Sequence, residues 1–179
     1  TVILWDAATG HKFRRLLWFD DDIQTVQWSL HSNEILTASK YAQIWDATGN
    51  NEIVRFTGYN KKICGVAWSP DDSYVLIGSQ DKVSRIWDVK TGKEFMQLSG
   101  GHIESVTAVA WSPDGTRLLT ASLDMTAKIW SLKSGKVLHH LTGHTRTILS
   151  AVWSSNSSYI LTCAACSARV WDANKGVEI

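Results

Sequence analysis

Tryptophan recurs at a nearly constant interval in the 179-residue chain, and this interval restricts the possible folds more than any other feature. Nine of the ten tryptophans belong to two series, and within each series neighbours are 40 to 43 residues apart. A period of this length is typical of an architecture in which one supersecondary unit is stacked several times. The first series is Trp5, Trp45, Trp87, Trp130 and Trp171, and the second is Trp28, Trp68, Trp111 and Trp153.

Each repeat contains four short segments with the patterns of β-strands. Alternating apolar residues lead to a tryptophan of the second series, and Ser-Pro-Asp then predicts a turn at Pro70 and at Pro113. A buried-looking run follows, such as YVLIGS or RLLTAS; a third segment ends at a tryptophan of the first series, and a fourth leads into the next repeat. Sustained helical periodicity is absent, so the sequence predicts an all-β fold.

Two dipeptide motifs accompany the tryptophans. Trp-Asp occurs at Trp5-Asp6, Trp45-Asp46, Trp87-Asp88 and Trp171-Asp172, and Gly-His occurs at Gly101-His102 and Gly143-His144. On these motifs the chain resembles WD40-repeat proteins over essentially its whole length. The resemblance implies a β-propeller with about four to four and a half four-stranded blades. It also implies one WD40-repeat region over residues 1–179, whose repeats end near Trp5, Trp45, Trp87, Trp130 and Trp171.

Propellers of this family usually have seven and sometimes eight blades, so we interpret the chain as a segment of a larger propeller. An alternative is a ring closed by the chain itself or by two copies. In that case residues 16–18 would supply the last strand of the final blade.

Charge and cysteine content restrict the partners and the compartment. Lys and Arg total 18 and Asp and Glu total 17, so a net charge of +1 gives no basic field for direct nucleic-acid binding. The apolar runs are too short for membrane insertion. Three cysteines do not make a disulfide framework, so we expect an intracellular protein, cytoplasmic by default.

The resemblance assigns several polar residues to a structural role. In WD40 repeats a histidine, a serine or threonine, an aspartate and the tryptophan form a hydrogen-bonded tetrad, which here implies His102, Ser122, Asp124 and Trp130. The same residue types could form a hydrolase triad, but the tetrad explains them without a substrate. In other repeats Tyr59 and Phe19 take the histidine position.

Two further patterns have a chemical and a structural interpretation. Cys163 and Cys166 have the CxxC spacing of redox pairs and zinc half-sites, but the additional ligands are lacking, so we expect no metal and no cofactor. Arg85, Lys128 and Arg169 each lie two residues before a first-series tryptophan. They could form a row that binds phosphate, although packing of their stems beside the tryptophans is the simpler interpretation.

The function that the resemblance implies is that of a non-catalytic scaffold or adaptor, which presents propeller loops to partner proteins or peptides within a multiprotein complex. The alternatives are a propeller enzyme and a nucleic-acid-associated subunit. The loop before the first strand and the turn between the second and third strands should emerge at the same end of each blade. The partner-binding residues predicted there are Asp22, Gln24, Lys40, Lys62, Cys64, Gln80, Ser105, Thr107, Leu123, Thr147 and Leu149.

Overall fold

The computed structural model describes residues 2–16, 22–49 and 51–179. Phe19, predicted at a histidine position, lies outside these residues, as does most of the strand predicted at 16–18.

The described residues form four four-stranded antiparallel sheets and one two-stranded hairpin, without a helix. The predicted all-β architecture is confirmed. Within each sheet the strands follow one another in chain order. We call the sheets blades 1 to 4 and the first two strands the N-terminal hairpin. The hairpin is β1 (Val2–Trp5) and β2 (Lys12–Leu16); blade 1 is β3 (Thr25–Trp28), β4 (Glu34–Ala38), β5 (Ala42–Asp46) and β6 (Glu52–Phe56); blade 2 is β7 (Ile63–Trp68), β8 (Tyr74–Ser79), β9 (Ser84–Asp88) and β10 (Glu94–Leu98); blade 3 is β11 (Val106–Trp111), β12 (Arg117–Ser122), β13 (Ala127–Ser131) and β14 (Val137–Leu141); blade 4 is β15 (Ile148–Trp153), β16 (Tyr159–Ala164), β17 (Ser167–Asp172) and β18 (Val177–Glu178).

The aspartate of each Trp-Asp pair closes the turn after the third strand. In blade 2 the Asp88 carboxylate accepts hydrogen bonds from the backbone N–H of Thr91 at 2.7 Å and from its hydroxyl at 2.8 Å. Gly92 then takes a φ of +66°, which favours glycine, and its N–H donates to the Asp88 carbonyl. The carboxylates of Asp6, Asp46 and Asp172 likewise accept from a backbone N–H two or three residues later, so the motif specifies a turn.

Apolar clusters join each blade to the next. Leu36 and Ile44 of blade 1 pack with Val66 and Trp68 of blade 2, and equivalent clusters join blades 2 and 3 and blades 3 and 4. The fit between blades 2 and 3 depends on Gly78, where a Cβ atom would lie 2.7 Å from a methyl group of Val106 and of Val109.

The N-terminal hairpin packs on blade 1. Val2 and Leu4 share an apolar cluster with Ile35 and Trp45, and the Arg14 guanidinium donates to the Gly49 carbonyl at 3.1 Å. β2 pairs with β1, and β18 takes the fourth position of the last blade. In the alternative arrangement, residues 16–18 would pair with that last blade. Residue 16 instead pairs with β1.

The outer face of blade 4 is uncovered. Leu161 and Val170 are 44% and 45% exposed, whereas their equivalents in blade 3, Leu119 and Ile129, are fully buried. Trp28 is exposed at the other end of the series, so the described residues do not close into a ring. Within the described ranges no helix has the length and apolar character needed to cross a membrane.

Candidate functional site

Backbone hydrogen bonds bring the two predicted kinds of loop to one end of the blades. The N–H of Gln80 donates to the carbonyl of Lys62 at 2.9 Å, and the N–H of Leu123 donates to the carbonyl of Ser105 at 2.9 Å. In blade 1 a bond in the opposite direction joins the same two segments, from the N–H of Gln24 to the carbonyl of Ala38 at 2.7 Å. We call this end the rim: the loops that precede the first strand of each blade, with the turns between the second and third strands.

The chemistry of the rim changes from blade to blade. Lys40 and Lys62 are exposed on blades 1 and 2. On blades 3 and 4 exposed apolar side chains lie beside charged ones such as Glu104 and Arg146: Leu123 is 38% exposed, and Leu149, at the start of β15, is 58% exposed. Ile103, at 76%, and Met125, at 43%, are further exposed apolar side chains of the blade 3 rim, although sequence reasoning missed them. Their positions in the sequence could have identified them, since each directly follows a residue of the predicted tetrad.

Several predicted partner-binding residues lie less open than expected. Ser105, Thr107 and Thr147 are half-buried, as is Cys64. The hydroxyl of Thr107 donates to the Ile148 carbonyl at 2.6 Å, so it links blade 3 to blade 4. Burial raises the pKa of the Cys64 thiol. Asp22, Gln24 and Gln80 are exposed.

The rim of blade 3 is anchored by a chain of buried polar groups. The indole N–H of Trp130 donates to the Thr120 hydroxyl at 2.8 Å, and that hydroxyl lies 2.8 Å from Nε2 of His102. Nδ1 of His102 is 2.9 Å from the Asp124 carboxylate, which also accepts from the N–H of Ile103. A neutral His102 with its proton on Nδ1 satisfies every group in this chain.

The predicted tetrad was wrong in one member, because Thr120 supplies the hydroxyl that was assigned to Ser122. Trp130 pairs with Leu118 across the sheet, so Thr120 is its diagonal neighbour, with the Cα atoms of the two residues about 7–8 Å apart. Ser122 lies four residues beyond Leu118, roughly 13 Å along the strand and out of reach of the indole. Its hydroxyl instead donates to the Glu104 carbonyl and accepts from the N–H of Asp124.

In blades 4 and 2 the indole at the equivalent position has different hydrogen-bond partners. In blade 4 Thr162 accepts from Trp171 and contacts His144, whose Nδ1 is 3.1 Å from the Ser167 hydroxyl instead of a carboxylate. In blade 2 the threonine position holds Ile77, and the Tyr59 hydroxyl accepts directly from Trp87 at 2.6 Å. Burial raises the pKa of Tyr59.

The three cations that precede first-series tryptophans have partners of their own. Arg85 pairs with Asp81 at 2.7 Å and lies over the Tyr59 ring, and Arg169 pairs with Glu178. The ammonium group of the buried Lys128 is 2.9 Å from Nδ1 of His140. Since two of the three are held by carboxylates, they do not form an open phosphate row.

The buried tetrad makes stability depend on pH. Desolvation lowers the pKa of His102, so the unfolded state binds a proton more readily than the folded state. We expect the free energy of unfolding to fall as the pH drops below about 6.5, the ordinary histidine value, by up to about 1.4 kcal/mol per pH unit. Denaturant unfolding at pH 7.5, 6.5 and 5.5 measures this loss.

A His102→Gln variant serves as the comparison, because it is less stable at neutral pH but has no imidazole to protonate at this position. Its stability should therefore decline less on acidification than that of the native chain. An NMR titration in which His102 protonates at or above pH 6.5 in the folded protein would contradict the expectation.

Cys163 in β16 and Cys166 in the turn before β17 are exposed free thiols. Within the described ranges no group of three or more His, Cys, Asp or Glu side chains is placed to hold a metal ion.

Comparison with known proteins extends these observations. The family model described as "WD domain, G-beta repeat" matches residues 50–88, 93–131 and 135–172, more than half of the chain. The chain belongs to the WD40-repeat family. The matched segments include β6 of blade 1, blades 2 and 3, and the first three strands of blade 4, whereas the other three strands of blade 1 fall outside them.

Three of the relatives are named as a subunit or an activator of a complex. The chain is 32% identical over 75 residues to the APC/C activator protein CDC20 of Saccharomyces cerevisiae, which covers 41% of this chain and 12% of that protein. It is 28% identical over 89 residues to the anaphase-promoting complex subunit cdh1 of Dictyostelium discoideum, covering 49% and 12%. It is 26% identical over 94 residues to the target of rapamycin complex subunit LST8 of Bos taurus, covering 51% and 29%. The aligned regions thus span less than a third of each relative.

Proposed function

We propose that this WD40 region is a non-catalytic interaction module whose rim binds an extended segment of a partner protein. The observation that carries the proposal is the exposure of four apolar side chains at this end of blades 3 and 4, Ile103, Leu123, Met125 and Leu149. Exposed apolar side chains grouped together are typical of protein-binding surfaces. The lysines on blades 1 and 2 add a preference for a segment that carries acidic residues beside its apolar ones.

The loops that carry these side chains are held in place before any partner arrives. Asp124 fixes the Ile103 loop through its carboxylate, and Lys82 of blade 2 lies 3.7 Å from Glu104 of blade 3. A loop ordered in advance loses less conformational entropy on binding, which favours affinity.

The enzyme alternative has little support from the polar residues. Ser122, the hydroxyl considered as a nucleophile, is fully buried, and so is Thr120. His102 and Asp124 are satisfied by each other and by neighbouring hydroxyls, so they offer no group to a substrate.

The nucleic-acid alternative requires a basic stripe, whereas the exposed lysines of the rim adjoin an apolar surface. Binding that weakens steeply with salt would favour it instead.

The names of the relatives support a role within a multiprotein complex, and we propose an intracellular, cytoplasmic location for it.

The rim is tested by the double substitution Lys62→Glu with Leu123→Asp. We expect it to weaken capture of a protein partner by at least about tenfold, because it reverses one charge and places another at an exposed apolar position of the rim. A pull-down with the purified native chain, followed by a binding titration of each captured protein, measures the effect.

A matched control makes the same chemical changes away from the rim, as Lys90→Glu with Leu138→Asp, since both residues are exposed. Both variants should retain the native circular dichroism spectrum and unfolding midpoint within a few degrees. The proposal fails if every partner binds the rim variant as tightly as it binds the control.

A further inference from the structure

A cavity of about 310 Å³ lies between blades 2 and 3, at the end of the blades opposite the rim. Two equivalent turns form its mouth, Pro70-Asp71 and Pro113-Asp114, which contain the only prolines in the sequence. Its wall is aromatic, because the rings of Tyr74 and Trp111 are stacked there with their centroids 6.4 Å apart. The cavity therefore combines carboxylates with the flat faces of aromatic rings.

The two carboxylates are ionised at neutral pH. A hydrogen bond from the Ser69 hydroxyl lowers the pKa of Asp71. Partial burial raises the pKa of Asp114, but hydrogen bonds from the hydroxyls of Thr116 and Ser112 outweigh it and keep that pKa below its ordinary value. The indole N–H of Trp111, a residue only 7% exposed, has no hydrogen-bond partner among the described residues.

The neighbouring interface, between blades 3 and 4, shows what fits such a space. There the guanidinium of Arg117 lies 4.9 Å from the centre of the Trp153 ring. It donates to the carbonyls of Ala173 at 3.0 Å and Ser157 at 2.6 Å, and it lies 3.5 Å from the Asp114 carboxylate. An arginine side chain thus fills the interface from within the chain.

The repeat relates these groups, one by one, to groups at the cavity. Trp111 corresponds to Trp153, Asp71 to Asp114, Gly115 to Ser157 and Leu132 to Ala173, and the first member of each pair lines the cavity. The arginine itself is not repeated, because the position of Arg117 is occupied in blade 2 by Tyr74. Three acceptor positions and the tryptophan are thus present without the guanidinium, and the Tyr74 ring lies beside the tryptophan.

We propose that the cavity between blades 2 and 3 binds the guanidinium group of an arginine side chain presented by a partner protein. The guanidinium stacks on the aromatic wall and donates to Asp71 and to the carbonyl groups at the Gly115 turn and Leu132, as Arg117 does in the next interface. One acceptor is not reproduced, since Lys133 replaces Asn174, which also accepts from Arg117. The cavity is at the other end of the blades from the rim, so this inference does not rest on the proposed function.

The test uses three blocked tripeptides, acetyl-Gly-X-Gly-amide, with X as arginine, citrulline or lysine. Citrulline has the shape of arginine without its charge. NMR titration of the 179-residue chain should show saturable shifts of the Trp111 indole N–H with the arginine peptide. We expect the citrulline and lysine peptides to bind at least about tenfold more weakly, because one lacks the charge and the other the planar fork of donors.

Two variants with the same change in charge separate the cavity from other anionic surfaces. Tyr74→Arg supplies the missing guanidinium from within the chain and should abolish peptide binding. Tyr159→Arg makes the same change at the equivalent position of blade 4, whose outer face is uncovered, and should bind as the native chain does. Unfolding midpoints confirm that both variants are folded.

The proposal is overturned if the arginine peptide gives no saturable shift, or if the citrulline or lysine peptide binds equally well. It is also overturned if Tyr74→Arg retains binding or if Tyr159→Arg loses it.

Discussion

Replacing Thr120 by valine is expected to lower the free energy of unfolding by about 2–4 kcal/mol. Valine has nearly the same shape as threonine, so the change removes the hydroxyl and leaves the packing intact. The indole N–H of Trp130 and Nε2 of His102 would then be buried without their shared partner. Equilibrium unfolding in urea, followed by tryptophan fluorescence and by far-ultraviolet circular dichroism, measures the loss.

Ser122→Ala is the matched control, because Ser122 lies two residues along the same strand and is also fully buried. Its hydroxyl contacts only backbone groups, and we expect its removal to cost about 1 kcal/mol. A larger cost for Ser122→Ala than for Thr120→Val would contradict the network described here and would restore Ser122 to the tetrad.

Gly78→Ala is expected to destabilise the chain by about 1–3 kcal/mol, the usual cost of overpacking a core. The new Cβ atom would lie 2.7 Å from a methyl group of Val106 and of Val109. Valine methyl groups cannot rotate away freely because branching at Cβ restricts χ1. The backbones of blades 2 and 3 would have to separate, which loosens the apolar cluster between them.

Gly65 provides a close comparison, since it pairs with Gly78 across the sheet and faces the same blade. A Cβ atom there would lie 3.4 Å from the nearest atom, the backbone nitrogen of Val109, close to ordinary contact. We expect Gly65→Ala to change stability by less than about 1 kcal/mol in either direction. Equal losses for the two variants would show that the approach of the blades does not depend on Gly78.

The repeat and the strands could be predicted from the sequence because both depend on local patterns. The spacing of Trp45, Trp87, Trp130 and Trp171, with a turn signal after each, places a strand end within a residue or two. The wrong choice of Ser122 has a different origin. The tetrad is defined by the register between β12 and β13, and a one-dimensional motif does not show that an indole reaches its diagonal neighbour.

The cavity between blades 2 and 3 was also beyond sequence reasoning. Its carboxylates belong to ordinary turns, and Tyr74 looks like one more aromatic residue at the start of a strand. Its character becomes apparent only when Arg117 is seen over Trp153 in the neighbouring interface. The apolar rim was missed in part for a similar reason, because the loop of Ile103 and the turn of Leu123 and Met125 come together only in the folded chain.

The tyrosine of blade 2 bears on how such repeats change over evolutionary time. Tyr59 satisfies Trp87 directly in the blade that has Ile77 in place of threonine. A histidine at position 59 would face Ile77, and one nitrogen of its ring would lack the hydrogen-bond partner that threonine supplies in blades 3 and 4. The two positions are therefore energetically coupled in blade 2, and related sequences with an aliphatic residue at the position of Ile77 should carry tyrosine and not histidine at the position of Tyr59.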